Sequence, residues 1–170
     1  MNENNIITDA NEEVVTDAQT TQESVSEQMQ EDKANNRNNI SRYKMREQAV
    51  LLTFESLFSD TELDEIAENI IDSRDEYYSD YAIETAKNVA EKLEEIDTYI
   101  SNNLSSGWKI SRISRIALAI LRVAVYEMKY VDEVPVSVAI NEAVELAKKY
   151  STDDASFVNG VLGAIAKELE

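Results

Sequence analysis

The chain contains no cysteine and no histidine. These absences exclude thiol nucleophiles, disulfide bonds, imidazole bases and the usual zinc and copper ligand sets. Neither a metal nor a cofactor is expected, because the Glu-x-x-His motif of di-iron bundles also needs histidine. Phosphate-binding and dinucleotide-binding glycine motifs are missing too. A binding protein is therefore favoured over an enzyme, with a carboxylate-dependent hydrolase left open as an alternative.

Long apolar runs are also absent. No stretch approaches the roughly 20 apolar residues of a membrane-spanning helix, and the N-terminus lacks the basic-then-apolar pattern of a secretory signal. A cytoplasmic protein without a membrane partner is the expectation.

Basic residues are scarce relative to acidic ones. The chain has 34 acidic and 16 basic residues and a formal net charge of -18, so it should repel free nucleic acid unless its cations are segregated. Residues 1–39 hold nine of the acidic residues, two of the basic ones and no aromatic side chain. This composition cannot bury enough apolar surface to offset the cost of ordering, so the segment is predicted to be a disordered acidic extension. Residues 40–170 are predicted to form the folded domain.

Glycine and proline number only three and one, which favours long uninterrupted helices. The segment Ile116–Met128 is apolar nearly all the way round and predicts a central helix buried on several sides. Gly107 marks a turn, and Pro135 suits the first turn of the following helix. No convincing strand pattern occurs, so an all-α bundle is predicted. Further helices with one apolar stripe are predicted at residues 41–58, with the stripe running from Val50 to Phe58, and at residues 59–71, 81–100, 136–147 and 158–169.

Two short segments concentrate the positive charge of the folded part. One opens the first predicted helix, and the other directly follows Trp108, in a stretch without acidic residues as far as Tyr126. Cations beside an aromatic ring suit single-stranded RNA, with phosphates held by Arg and Lys and a base stacked on Tyr. The alternative is that both segments are ordinary solvated faces. The candidate RNA-binding residues are Arg42, Tyr43, Lys44, Arg46, Lys109, Arg112 and Arg115.

Arg122 lies inside the most apolar segment of the chain. A buried charge needs a partner, and Glu142 is a plausible one. Arg122, Asn141 and Glu142 are therefore predicted to form a buried polar network that fixes how the central helix meets its neighbour. On this interpretation, replacing Glu142 by alanine should lower the melting temperature by several degrees.

Several motifs resemble the transcription antitermination protein NusB family. The stretches AILRVAVYEM, VPVSVAINEAVELAKKY and FVNGVL occur in the family's order and at its distances, and REQAVLLTFESLF is similar to its first helix. The resemblance extends from about residue 40 to the end of the chain. It implies an all-helical NusB-like bundle of two small subdomains.

The resemblance also implies a function. Family members bind the boxA element of nascent RNA together with NusE, a small-subunit ribosomal protein, and help RNA polymerase read through terminators, notably in ribosomal RNA operons. Arg42, Lys44 and Arg46 occupy the place of the family's basic RNA-contacting segment. The surface that faces NusE is similar to positions held here by Phe54, Asp154 and Phe157, with Asp153 as an alternative to Asp154. The implied partners are boxA RNA, NusE and the RNA polymerase antitermination complex.

Net charge favours a mechanism with two proteins. The folded part carries 25 acidic and 14 basic residues, so it should bind RNA weakly alone, and a basic partner would reverse the sign of the field that RNA meets. The predicted function is therefore an RNA-binding adaptor in antitermination. The alternative is a helical protein–protein interaction module on the same scaffold that does not bind RNA.

Overall fold

A computed structural model describes residues 40–58, 63, 65–66 and 78–169 of the chain. Within these residues the structure contains helices and no strand, which confirms the predicted all-α class. The predicted disorder of residues 1–39 and most of the predicted helix at 59–71 lie outside the described residues. The helices are α1 (Arg42–Glu55), α2 (Asp80–Glu91), α3 (Leu93–Asn102), α4 (Arg115–Tyr130), α5 (Val136–Tyr150) and α6 (Ala155–Leu169). Short 3-10 turns occupy Ile110–Arg112 and Thr152–Asp154.

Helix α4 is the centre of the bundle, as predicted. Every other helix named above packs against it, and α4 is buried from Ala119 through Met128 without interruption. The hydroxyl of Ser114 caps its start by accepting a hydrogen bond from the N–H of Ala117 at 3.2 Å. Helices α1 and α2 pack together on one part of α4, and α5 and α6 pack together on another. The two small groups of helices therefore share α4 as a common core element.

The predicted helix at residues 81–100 differs from the observed one. It divides into α2 and α3 at Lys92, whose backbone has φ -102° and ψ 16°. The hydrogen bonds from Lys92 N to Asn88 O and from Ile96 N to Lys92 O are both 3.0 Å long, so the ladder continues through a kink. The kink lets α2 pack chiefly on α1 while α3 packs on α4.

Two further boundaries differ from the sequence-based expectation. Helix α1 ends at Glu55, so Phe58 falls beyond it and is 57% exposed instead of extending the inward stripe. Pro135 is the N-cap residue of α5 and does not lie in its first turn. The turn predicted at Gly107 is confirmed, since this residue has φ +84°, which glycine adopts without steric cost.

Candidate RNA and partner interface

The start of α1 is an exposed cationic helix terminus. The Ser41 hydroxyl accepts a hydrogen bond from the N–H of Lys44 at 3.2 Å and so fixes the first turn, which contains no acidic residue. Arg42 is exposed, and its guanidinium carbon lies 6.0 Å from the centre of the Tyr81 ring. Cations at a helix N-terminus oppose the helix dipole and do not stabilise the helix. They do add to the positive potential there, which suits a bound phosphate.

Arg46 was predicted to contact RNA, but the structure places it in the interior. It is only 5% exposed, and its Nε donates to both carboxylate oxygens of Glu127, at 2.9 and 2.7 Å. Its Nη1 lies 3.3 Å from Glu142. The physical reason is helical periodicity: Arg46 lies one turn before the buried Val50, on the face of α1 that packs on α4, whereas Arg42 is the first residue of the helix. Arg46 therefore anchors the helix, and the cations that the first segment presents to solvent are Arg42 and Lys44.

Glu127 is the buried anion of this network. Its side chain is completely inaccessible, and it also accepts a short hydrogen bond from the hydroxyl of Tyr81. Burial, together with the neighbouring Glu127 carboxylate, raises the pKa of Tyr81 well above its ordinary value, so this phenol stays protonated and remains a donor. One carboxylate thus joins α1, α2 and α4.

A second buried carboxylate, Glu47, contacts cations from α1 and α5. It accepts hydrogen bonds from Lys44 at 3.2 Å, from the Tyr150 hydroxyl at 2.8 Å and from Lys149 Nζ. Burial opposes ionisation of Glu47, but the hydrogen bonds from Lys149, Tyr150 and Lys44 outweigh it and lower the pKa of the carboxyl. We call Lys44, Glu47, Lys149 and Tyr150 the Glu47 cluster. Sequence analysis missed it because Lys149 and Tyr150 are 102 and 103 residues from Glu47 in the chain.

No contact among the described residues links the second cationic segment, from Lys109 to Arg115, to the cations at the start of α1. Lys109 and Arg112 are exposed in and beside the 3-10 turn at Ile110–Arg112. Arg115 instead places its guanidinium 4.3 Å from the centre of the Phe58 ring. Phe58 in turn makes an edge-to-face contact with Phe54 at 5.0 Å. Through Phe58, Arg115 is therefore connected to Phe54, which the resemblance assigned to the NusE-facing surface.

The remaining candidate partner residues lie close to one another. The ring of Phe157 stacks on Trp108 with centroids 5.5 Å apart, and Trp108 is 51% exposed. Asp154 accepts hydrogen bonds from Ser114 at 2.6 Å and from Ser151. Asp153 is exposed. The short joint between α5 and α6 is thus tied to the start of α4, which sets the direction in which Phe157 projects.

The predicted network of Arg122, Asn141 and Glu142 is wrong. Arg122 donates through Nε and Nη2 to the two carboxylate oxygens of Asp97, each at 2.8 Å. Glu142 pairs with Arg46, and Asn141 is exposed. Arg122 lies on the side of α4 that faces α3, whereas Glu142 lies near Arg46. A charge inside an apolar helix was a sound signal of a buried ion pair, but it did not identify the partner.

Two other features bear on what the surface can do. Among the described residues, no group of three or more acidic side chains is arranged to hold a metal ion. None of the described helices combines the length and apolar character that crossing a bilayer requires. The surface features described above are exposed cations, tyrosines and an aromatic edge, by which we mean Phe54, Phe58, Trp108 and Phe157. They are features of an all-helical binding module.

Comparison with known proteins agrees with this class. A family model described as "NusB family" matches residues 38–167. The chain belongs to the NusB family. It is 44% identical over 136 residues to the transcription antitermination protein NusB of Natranaerobius thermophilus, covering 76% of this chain and 97% of that protein. It is 41% identical over 141 residues to the NusB of a Clostridium botulinum strain, covering 73% of this chain and 98% of that protein.

Solved structures give the same result. The NusB of T. maritima matches with a TM-score of 0.64 and 36% identity, covering 76% of this chain and 92% of that one. A structure described as the antitermination factors NusB and NusE in complex with double-stranded RNA matches with a TM-score of 0.64 and 27% identity, covering 76% of this chain and 99% of that one. The predicted family and fold are confirmed.

Proposed function

We propose that this protein is a transcription antitermination factor that binds boxA-type single-stranded RNA together with NusE and promotes read-through by RNA polymerase, notably in ribosomal RNA operons. The observation that carries the proposal is the capped, cationic start of α1. Arg42 and Lys44 lie at the N-terminus of a helix, where cations oppose the dipole, with Tyr43 between them as a ring on which a base can stack. The name shared by the related proteins supports the same role.

Charge explains why a second protein belongs in the mechanism. The formal net charge of -18 opposes the approach of RNA at long range. A basic ribosomal protein on the aromatic edge would offset this field and leave the start of α1 to contact phosphates. A related solved structure contains NusB, NusE and RNA together, which supports a joint surface. The proposal places NusE on Phe54, Asp154 and Phe157, with Arg115 and Phe58 at the same edge.

The proposed role is one of binding, so it assigns no catalytic residue and no cofactor. Because the proposed RNA is a nascent transcript bound with a ribosomal protein, the cytoplasm is the proposed place of action. The partners are boxA RNA, NusE and the RNA polymerase antitermination complex. Lys109 and Arg112 are proposed as a second pair of phosphate contacts.

Fluorescence anisotropy with a labelled single-stranded boxA RNA tests the proposal. The RNA is titrated with this protein, with and without NusE, at several salt concentrations, and a duplex of the same sequence serves as the comparison. Affinity should rise with NusE. The slope of log affinity against log salt should become shallower by about 1.4 when Arg42 and Lys44 are both replaced by alanine, because each single-strand phosphate contact contributes about 0.7.

The same experiment distinguishes the alternatives. If NusE binds but RNA affinity does not change, the protein is an interaction module without RNA binding. An unchanged slope in a Lys109→Ala, Arg112→Ala double variant would remove that pair from the RNA interface and leave the start of α1 in place.

A further inference from the structure

The C-terminal end of α5 lies directly beside the cationic start of α1. Lys149 and Lys44 donate to the two different oxygens of the same Glu47 carboxylate, so their ammonium groups are neighbours. Tyr150 donates to Glu47 as well, at 2.8 Å. The start of α1 and the end of α5 therefore meet at the Glu47 cluster.

The Glu47 cluster carries a net positive formal charge, because two lysines contact one carboxylate. The side chain of Glu47 is 3% exposed, whereas that of Lys149 is 51% exposed and that of Lys44 is 39% exposed. The negative charge thus lies below the surface, and two ammonium groups lie above it. An ammonium has three donors, and the bond to Glu47 uses one of those of Lys149. Because the side chain is half exposed, its other two donors are available to further acceptors.

Lys148 precedes Lys149 in the last turn of α5. Its side chain is 55% exposed and pairs with Glu145 at 2.7 Å, an exposed contact within α5. Such exposed pairs contribute little and exchange readily with other anions. Lysines in the last turn of a helix also interact favourably with its dipole. That interaction accounts for lysines at the end of α5, but not for the placement of Lys149 on a carboxylate of α1 beside Lys44.

From this juxtaposition we propose that Lys148 and Lys149 are further RNA-contacting residues, which bind phosphates next to those held by Arg42 and Lys44. Glu47 positions Lys44 and Lys149 so that they can meet neighbouring phosphates of one strand. The RNA path therefore crosses from the start of α1 to the end of α5. The inference rests on the proposed function, because it extends the same RNA interface.

Single substitutions in the full chain with NusE present test this inference. Lys148→Ala and Lys149→Ala should each make the salt slope of single-stranded boxA binding shallower by about 0.7, and the double variant by about 1.4. Lys167→Ala is the matched control, since it removes the same charge from an exposed position at the far end of α6. Its slope should equal that of the unsubstituted protein.

Two further variants separate charge from positioning. Lys149→Arg keeps both the charge and a donor to Glu47, so it should restore the slope. Tyr150→Phe removes a donor to Glu47 without changing any charge, so it should leave the slope unchanged. Melting curves of all variants establish that each one is folded.

The outcomes are distinct. If the Arg42→Ala, Lys44→Ala variant loses slope while the Lys148→Ala, Lys149→Ala variant keeps it, this inference is wrong and the proposed function stands. If the unsubstituted protein with NusE shows no salt-dependent RNA affinity, the proposed function fails and the inference fails with it. Equal losses in Lys148→Ala, Lys149→Ala and Lys167→Ala would reveal an effect of overall charge and would also overturn the inference.

Discussion

Arg46 and Glu127 are 81 residues apart in sequence and form a buried ion pair, in which Arg46 Nε lies 2.7 and 2.9 Å from the two carboxylate oxygens. Arg42 is the first residue of the same helix, so this short helix provides both an exposed cation and a buried one. This pair fixes the position of the proposed RNA-contacting residues relative to the central helix.

Removing Arg46 should destabilise the protein strongly. Arg46→Ala leaves the completely buried Glu127 without its cation, and breaking one side of a buried pair typically costs about 3–5 kcal/mol. Urea unfolding at neutral pH measures the change. Arg42→Ala removes the same charge from an exposed position in the same helix and should cost less than about 1 kcal/mol. Equal unfolding midpoints for the two variants would contradict the anchoring role of Arg46.

Arg122 should be coupled energetically to Asp97 and not to Glu142. Two double-mutant cycles with alanine, one for each pair, measure this by chemical unfolding. The Arg122–Asp97 cycle should give a coupling of about 1–3 kcal/mol, because both carboxylate oxygens accept from the guanidinium. The Arg122–Glu142 cycle should give less than about 0.5 kcal/mol. A larger coupling in the second cycle would restore the network expected from the sequence.

The stabilising contribution of Glu47 should depend on pH. Its carboxyl has a lower pKa in the folded chain than its ordinary value of 4.5. The contribution is therefore complete above pH 4.5 and is lost as the pH falls through the folded value. Glu47→Gln should cost about 1–3 kcal/mol at pH 7, since the buried acceptor loses its charge-assisted hydrogen bonds.

Urea unfolding of both proteins between pH 7 and pH 3 measures this difference, which should shrink as the pH drops below 4.5. Glu94→Gln, at an exposed position of α3, is the control and should change the free energy of unfolding by less than about 0.5 kcal/mol. A constant difference for Glu47→Gln across the whole range would show that ionisation of this carboxyl does not stabilise the fold.

Trp108 should report on binding at the aromatic edge. It is the only tryptophan of the chain, and it stacks on Phe157, a proposed NusE contact. With 5-fluorotryptophan incorporated in this protein alone, the fluorine resonance should shift when unlabelled NusE is added. Phe157→Ala should remove the stack, at a cost of about 0.5–1.5 kcal/mol beyond the lost burial, and weaken the partner-induced shift. A resonance that NusE leaves unmoved would place the partner elsewhere.

The elements that sequence analysis predicted well are those with local signals. The apolar run at Ile116–Met128 requires burial on several sides, and it is the central helix. Gly107 and Pro135 mark boundaries to within a residue, because glycine frees the backbone and proline restricts it. The stripe of α6 is also as expected, with Val158, Leu162 and Ile165 buried. These features depend on a few neighbouring residues, so a single sequence contains them.

The partners of buried charges could not be predicted in the same way. Arg122 signalled an ion pair, but both Asp97 and Glu142 are carboxylates on amphipathic helices, and only the packing of α3 on α4 decides between them. Arg46 was grouped with Arg42 and Lys44 because all three cations lie within five consecutive residues. The helical spacing from Val50 places Arg46 one turn earlier on the same face, and this was the signal that could have shown its burial.

The contacts of Arg46 also determine when, during synthesis, the start of α1 can reach its final structure. Its acceptors, Glu127 and Glu142, are made 81 and 96 residues after it. A growing chain therefore carries Arg46 without these carboxylates until α4, and α5 as far as Glu142, have been made. The surface proposed for RNA takes its final form only after that point, so an incomplete chain that ends before α5 would be a poor competitor for the same RNA.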